Sequence, residues 1–393
     1  MAANNKQLHN SVIFEIDSAS VAGAVFEYGS DTALPHTEHF SVRKPLDTHK
    51  TFESFFAHTL KVFEQVANEV LMHTSRIDSI YVSLGTPWMS SQKRVVHFKK
   101  DKAFKVTEQL VHDLIEKEIS EPLTKNLDYR HHSELEIFER RTTDIYLNGY
   151  PTLNPYRNHP GVTDLAIHSL TSVISRTTKE AFTHVIERVF HREPKLISNT
   201  FVLYQSVRSF VTHEDNVTVV DLGGTNTQVC IIENDHLREI ASFPVGEQHL
   251  VEQLAEQASV PVQKARSLLK LYTEQSLDPQ YQEELSQLMK SVYRTWLASW
   301  YEVATKLSAK KLLPPTICLL ASSTMSSWMR FHLLQTDELH EHFPLRKSPE
   351  IIELSVLLNM QSKEHNLDEV SDLELVPLVD IVGKLILNEH TYE

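Results

Sequence analysis

The segment VTVVDLGGTNTQVCIIE leaves this chain few ways to fold. Apolar residues fill positions 217, 219 and 220 and again 229, 231 and 232, so two strands flank a turn that begins at Asp221. Glycine is scarce, nine in 393 residues, and Gly223–Gly224 is the only adjacent pair. Glycine is needed where backbone must pass close to another group, because a Cβ would stand in the way. The amides of such a turn, the hydroxyls of Thr225 and Thr227 and the carboxylate of Asp221 form a set suited to a phosphate and a hydrated cation. A hairpin turn that merely requires glycine is the plainer account of the same residues.

A second strand–turn–strand, SVIFEIDSASVAGAVFEYG, opens the chain, with Val12, Phe14 and Ile16 alternating before Asp17. Phe63, Val66, Ala67, Val70 and Leu71 then fall at helical spacing, and IDSIYVSLG returns to strand. From Trp88 to Asp164 the texture changes to a strand KRVVHF, a helix after Thr107 with Leu110, Val111, Leu114 and Ile115 on one face, and strands ELEIF and TDIYLNGY. This predicts a small α+β insertion. LAIHSLTSVIS, the helix KEAFTHVIERVF and the strand KLISN read as a return to αβ alternation. After the second hairpin the pattern is helical from Glu247 to Ala309 with a break at Pro261; PPTICLLASSTMSS gives a strand entering a polar turn, and the chain closes on a helix around Gly383.

Such a length exceeds one compact core. The reading divides the chain into lobe I (11–87 and 165–208, with 88–164 inserted), lobe II (209–246, the helical region 247–310, and 311–370), and a return to lobe I at 371–393.

Composition removes several functions. A net charge of −14 without a Lys/Arg stripe excludes nucleic acid as a partner. The 22 histidines, His131–His132 among them, show no metal-ligand spacing. Cys230 and Cys318 sit in apolar runs and read as buried thiols. No run approaches the ~20 apolar residues of a membrane span, and MAANNKQLHN has no secretory pattern, so the expected compartment is the cytoplasm. In PLVDIVGKLIL, Lys384 stands alone beside Asp380, which argues against a direct membrane anchor. Trp296 and Trp300, four apart in a helix, read as core.

The order of hairpin, insertion, hairpin, helical region and strand-plus-turn resembles the duplicated actin/Hsp70/hexokinase architecture. Within it the chain is similar to the FtsA and PilM branch: IYVSLG, SSQKRVVHF, VTEQLVHDLIEKE and LNGY resemble the inserted subdomain of that branch, FPVGEQHLVEQLA its segment after the second phosphate loop, and VPLVDIVGKLIL its final lobe I helix. The resemblance implies an α/β, two-lobed actin-like ATPase fold with an α+β subdomain inserted in lobe I, and ATP with Mg2+ as cofactors. It assigns Asp17, Ser18 and Ser20 to the first phosphate loop and Asp221, Gly223, Gly224, Thr225 and Thr227 to the second, followed by Gly246. Ala321, Ser322 and Ser323 fall in the adenosine loop. Asp17 and Asp221 are the expected holders of Mg2+ through water, and Asn199 stands where relatives position the attacking water.

The chain departs from that pattern. Ala19 and Ala321–Ser322 replace glycines, Glu247 replaces a second glycine after FPVG, and Ser198–Asn199–Thr200 contain no acid. Asn orients water but accepts no proton, so at most a slow ATPase is expected. The implied function is a nucleotide-responsive cytoplasmic scaffold for division or pilus machinery. It would self-associate or bind other subunits, and reach the inner face of the membrane through the cytoplasmic segment of a membrane protein or a division-ring protein. KRVVHF and ELEIF are its expected sheet edge for a partner. Two alternatives stand beside it. A hexokinase-like sugar kinase shares DLGGTN, although there the loop opens the chain and here about 220 residues precede it. A pseudo-ATPase interaction module that binds no nucleotide accords with the lost glycines.

Overall fold

The computed structural model describes residues 8–29, 35–47, 51–119, 134–210, 216–344, 349–353 and 372–391. Lobe I is built on β1 (His9–Ile16), β2 (Ser20–Tyr28), β3 (Pro35–Pro45), β4 (Ser79–Leu84) and β9 (Lys195–Ser198), in the order β3-β2-β1-β4-β9. Lobe II uses β10 (Val217–Leu222), β11 (Thr227–Glu233), β12 (His236–Phe243), β13 (Thr316–Leu320) and β14 (Glu350–Glu353), ordered β12-β11-β10-β13-β14. In each sheet three strands run antiparallel and two more are added in parallel. The two lobes therefore repeat one topology, as the paired hairpins predicted.

Three apolar clusters hold the lobes. Helix α1 (Phe52–Met72), capped by the Thr51 side chain on Ser54 N, lays Phe55, Phe63, Val66 and Val70 on the lobe I sheet beside α3 (Arg176–Phe190). Lobe II buries one face under α5 (Glu247–Gln257), α6 (Val262–Thr273), the thirty-residue α7 (Pro279–Ser308) and α8 (Ser323–Gln335). Trp296 and Trp300 are fully buried there, as their spacing implied. Between the lobes, α4 (Asn199–Phe210) and the closing helix α9 (Val376–Thr391) pack with residues of both sheets, including buried Cys230 and Cys318, and Tyr28 Oη donates to Val379 O at 2.9 Å.

The third sheet differs from the sequence reading. ELEIF and TDIYL are one strand, β6 (Leu135–Leu147), interrupted by register shifts at Ile137/Glu139 and Thr142/Asp144. LAIHSLTSVIS does not return to lobe I; it is β8 (Asp164–Ser175), the second strand of the order β5-β8-β6-β7 with β5 (Met89–Lys99) and β7 (Tyr150–Pro151). The inserted sheet thus runs to Ser175 and not to 164, covered by α2 (Glu108–Ile119).

The insertion holds both lobes. Towards lobe I, buried Glu139 accepts from Ser198 N at 3.0 Å and from Ser198 Oγ. Towards lobe II, His236 Nδ1 donates to Asp144, Lys93 Nζ donates to Arg238 O at 3.1 Å, and the Tyr146 ring lies between His168 and His236, 4.6 and 5.7 Å from their centroids.

Candidate functional site

The two Asp-ended strands aim their turns at one another. Asp17 N closes the first turn on Ser20 O at 3.1 Å, and Thr225 N of the second donates to Ser18 Oγ at 3.0 Å. Gln248 Nε2, from the first turn of α5, donates to Ser18 O at 3.1 Å. A Cβ on Gly224 would stand 2.7 Å from Ala19 N and 2.8 Å from Ser18 C, so the loops touch backbone to backbone. Behind them, Gly223 and Gly224 carbonyls accept from Glu247 N (2.9 Å) and Gln248 N (2.8 Å), which satisfies first-turn amides of α5 that would otherwise lack a partner. A Cβ on Gly246 would fall 2.4 Å from Gly223 O, so glycine is required there for the helix to seat on the loop.

Beneath the loops is a cleft lined by Asp17, Ala19, Ser20, Asn199, Asp221, Gly223, Gly224, Ala321 and Ser322, and also by Glu15, Arg43, Glu247 and Glu374. The structure therefore brings together eight of the residues assigned from sequence: Asp17, Ser20, Asn199, Asp221, Gly223, Gly224, Ala321 and Ser322. Four others are used differently. Ser18 is fully buried with its hydroxyl on Thr225 N, and Thr225 spends that amide on Ser18. Thr227 Oγ1 donates to Val245 O at 2.7 Å and accepts from Trp296 Nε1 at 2.9 Å, so it serves the core and not a ligand. Gly246 seats α5. Ser323 begins α8, and its side chain lies outside the described residues.

Sequence reasoning passed over Glu15, Arg43, Gln248 and Glu374. Glu15 was findable, as the single acid in the strand VIFEI. Arg43 and Glu374 reach the cleft from β3 and from the residues before α9, and Gln248 reaches the first loop from α5.

The electrostatics are one-sided. Burial pushes the Glu15 carboxyl up to about 7 against the opposing pull of Arg43, and pushes Asp17 up to about 6. Burial, reinforced by the charge of Asp17, holds Asp221 well above the usual carboxylate range, and burial also raises Glu247. The cation lining the cleft, Arg43, is committed: it meets Asp372 at 2.7 Å, Glu15 at 2.9 Å and Glu374 at 3.2 Å, and donates to Ser20 Oγ at 2.7 Å.

In this arrangement the residues do not fit a magnesium-bound triphosphate. The Thr225 amide is taken by Ser18, the gap between Ala19 and Gly224 is closed, and the one guanidinium that phosphates would meet is already paired with three acids. Among the described residues no group of three or more His, Cys, Asp or Glu is placed to hold a metal ion.

No protein-family model matches the chain, and no curated protein matches it. Among solved structures, the PilM-PilN type IV pilus biogenesis complex matches with a TM-score of 0.61 at 13% identity, over 96% of this chain and 98% of that one. Looser matches are EutJ, an ethanolamine utilization protein from Carboxydothermus hydrogenoformans (TM-score 0.42, 12% identity, 87% of this chain and 84% of that one), and a Ppx/GppA family member from Aquifex aeolicus (0.35, 10%, 97% and 89%). The duplicated sheets facing across two Asp-ended loops are those of the actin-like ATPase fold. Within that fold, the arrangement of this chain is similar to that of the chain matched in the PilM-PilN complex.

Proposed function

We propose that this protein is a PilM-like assembly scaffold that works by holding partners and not by turning over ATP. The observation that carries the reading is the closed junction of the two loops, where Ser18 occupies the amide a phosphate would need and Gly224 rests on Ala19. The lining beneath it offers a polyphosphate one cation, Arg43, already paired with three acids. Support for the scaffold role is the likeness along 96% of the chain to a protein solved in complex with PilN. The partner proposed is the cytoplasmic segment of a membrane protein, which would hold this chain at the inner face of the membrane. β5, an end strand of the inserted sheet, is an edge such a segment could extend.

Binding, turnover and cross-linking assays test it. With Mg-ATP, calorimetry should give no binding heat, and phosphate release should stay far below the ~1 s⁻¹ at the low end of ordinary enzymes. Turnover near that rate without a partner, or sugar-dependent phosphorylation by the isolated protein, defeats the proposal. Cross-linking in cells should join this chain to a membrane protein through residues 89–175, and its absence under conditions that capture self-contacts counts against the partner assignment.

A further inference from the structure

The far end of the inserted sheet is built unlike the rest of the molecule. Its near end, Met89 paired with Ile174, adjoins Trp88 and α3 in the lobe I core. Eleven residues of β5 carry the sheet about 35 Å outward. There Lys99 pairs with Asp164 and Leu147 with Leu165, so three strands finish together.

Two loops are sewn onto this end. Asn148 and Gly149 turn the chain in the left-handed region, at φ 50° and 84°. The Asn148 side chain accepts from Thr163 N and Asp164 N, both at 3.0 Å, and donates to Gly161 O at 3.1 Å. Lys100 N donates to Thr163 O at 3.0 Å and Phe104 N to Val162 O at 2.9 Å, joining residues 100–104 to the same loop. Thr152 N donates to Ile145 O at 2.9 Å, and Pro155 is buried. The loop is thus a hydrogen-bonded knob and not a slack connection.

This knob holds apolar side chains out to solvent. Leu153 is 97% exposed, Tyr150 76% and Tyr156 42%. Around them lie Lys99, Lys100, Lys102, Lys105 and Arg157, all exposed, against the acids Asp101, Glu108 and Asp164. The ammonium of Lys100 sits over the Phe98 and Phe104 rings at 5.0 and 5.9 Å. In a chain of net charge −14 this end carries an excess of cations.

We propose that this tip docks on an anionic membrane surface, with Leu153 and the two tyrosines entering the interface and the lysines lying at the level of the lipid phosphates. Charge complementarity selects the occupant, since an excess of cations on an acidic protein seeks an anionic surface. Shape decides among anionic surfaces. The apolar groups project from a convex knob, which fits a deformable bilayer, and the two-residue β7 offers little edge for a peptide strand. Among the described residues no helix is long and apolar enough to cross a membrane, so this contact would be peripheral. It needs lipid alone, and stands or falls separately from recruitment by a protein partner.

The test is flotation of the full chain with phosphatidylglycerol-rich vesicles and with phosphatidylcholine vesicles. Binding is expected to the former only and to fall as salt is raised. Lys100→Glu with Lys102→Glu should weaken it by at least about fivefold per lysine, and Leu153→Asp should remove most of what remains. Because Leu153 touches solvent almost everywhere, circular dichroism of that variant should match the parent. Phe331→Ser, an exposed apolar site on α8, should bind as the parent does. Failure to bind phosphatidylglycerol vesicles, binding that survives both tip variants, or displacement from vesicles by polyglutamate at low stoichiometry would each overturn the proposal, the last in favour of an acidic peptide.

Discussion

Replacing Asp17 by Asn should stabilise this protein at neutral and alkaline pH. Asp17 sits beneath the closed loops, where burial raises its carboxyl from an ordinary 3.8 to about 6. The folded chain therefore binds that proton more tightly than the unfolded chain. The stability it contributes is fully present below pH 3.8 and is lost as pH rises through about 6. At 1.36 kcal/mol per pH unit, the loss is about 3 kcal/mol by pH 8. Asn keeps the shape and carries no charge, so the variant should gain on the parent by up to about that amount between pH 4 and pH 8. Urea unfolding followed by tryptophan fluorescence, at a series of pH values, reads the difference in midpoint. Mg2+ adds a control: because the lining does not suit the ion, MgCl2 should shift the parent's midpoint at pH 8 no more than the variant's. An Asn variant less stable than the parent at pH 8 would refute the reasoning, because it would mean that the charge of Asp17 has a favourable partner.

Gly224→Ala places a methyl group 2.7–2.9 Å from Ala19 and Ser18 backbone, so it should force the loops apart and cost about 1–3 kcal/mol, read as a lower urea midpoint. His236→Ala strips the partner from a nearly buried Asp144 and should cost about 1–3 kcal/mol, whereas adding Asp144→Ala should recover part of that loss; strictly additive effects would show that the pair does not interact.

How far the sequence is legible differs by region. The paired hairpins were readable because each opens with a short apolar run that ends at an Asp, Val12 to Ile16 before Asp17 and Val217 to Val220 before Asp221, and the adjacent glycines mark close backbone approach. The inserted sheet was misread where alternation fails: the register shifts around Glu139 and Thr142 change which face the side chains point to, so one strand looks like two. β8 deceived differently, since its second half is buried on both faces and lacks the alternation of a surface strand. The lining of the cleft from Gly223 to Ser322 was read from local motifs. The bond from Thr225 to Ser18 spans 207 residues, and Arg43 reaches three carboxylates from two distant parts of the chain; no local pattern encodes either.

The contacts of the inserted sheet bear on how the molecule can deform. Two lobes joined only by α4 and α9 would form a clamp with one soft coordinate, its opening angle. A brace fixed to lobe I through Glu139 and Ser198 and to lobe II through Asp144 and His236 turns that clamp into a triangulated frame. Spreading the lobes then requires breaking a buried polar joint or tilting the brace itself. A load applied at the distal knob, some 35 Å out along β5, would act on both lobes with leverage, so tension on the outer end and closure of the central cleft become one mechanical variable.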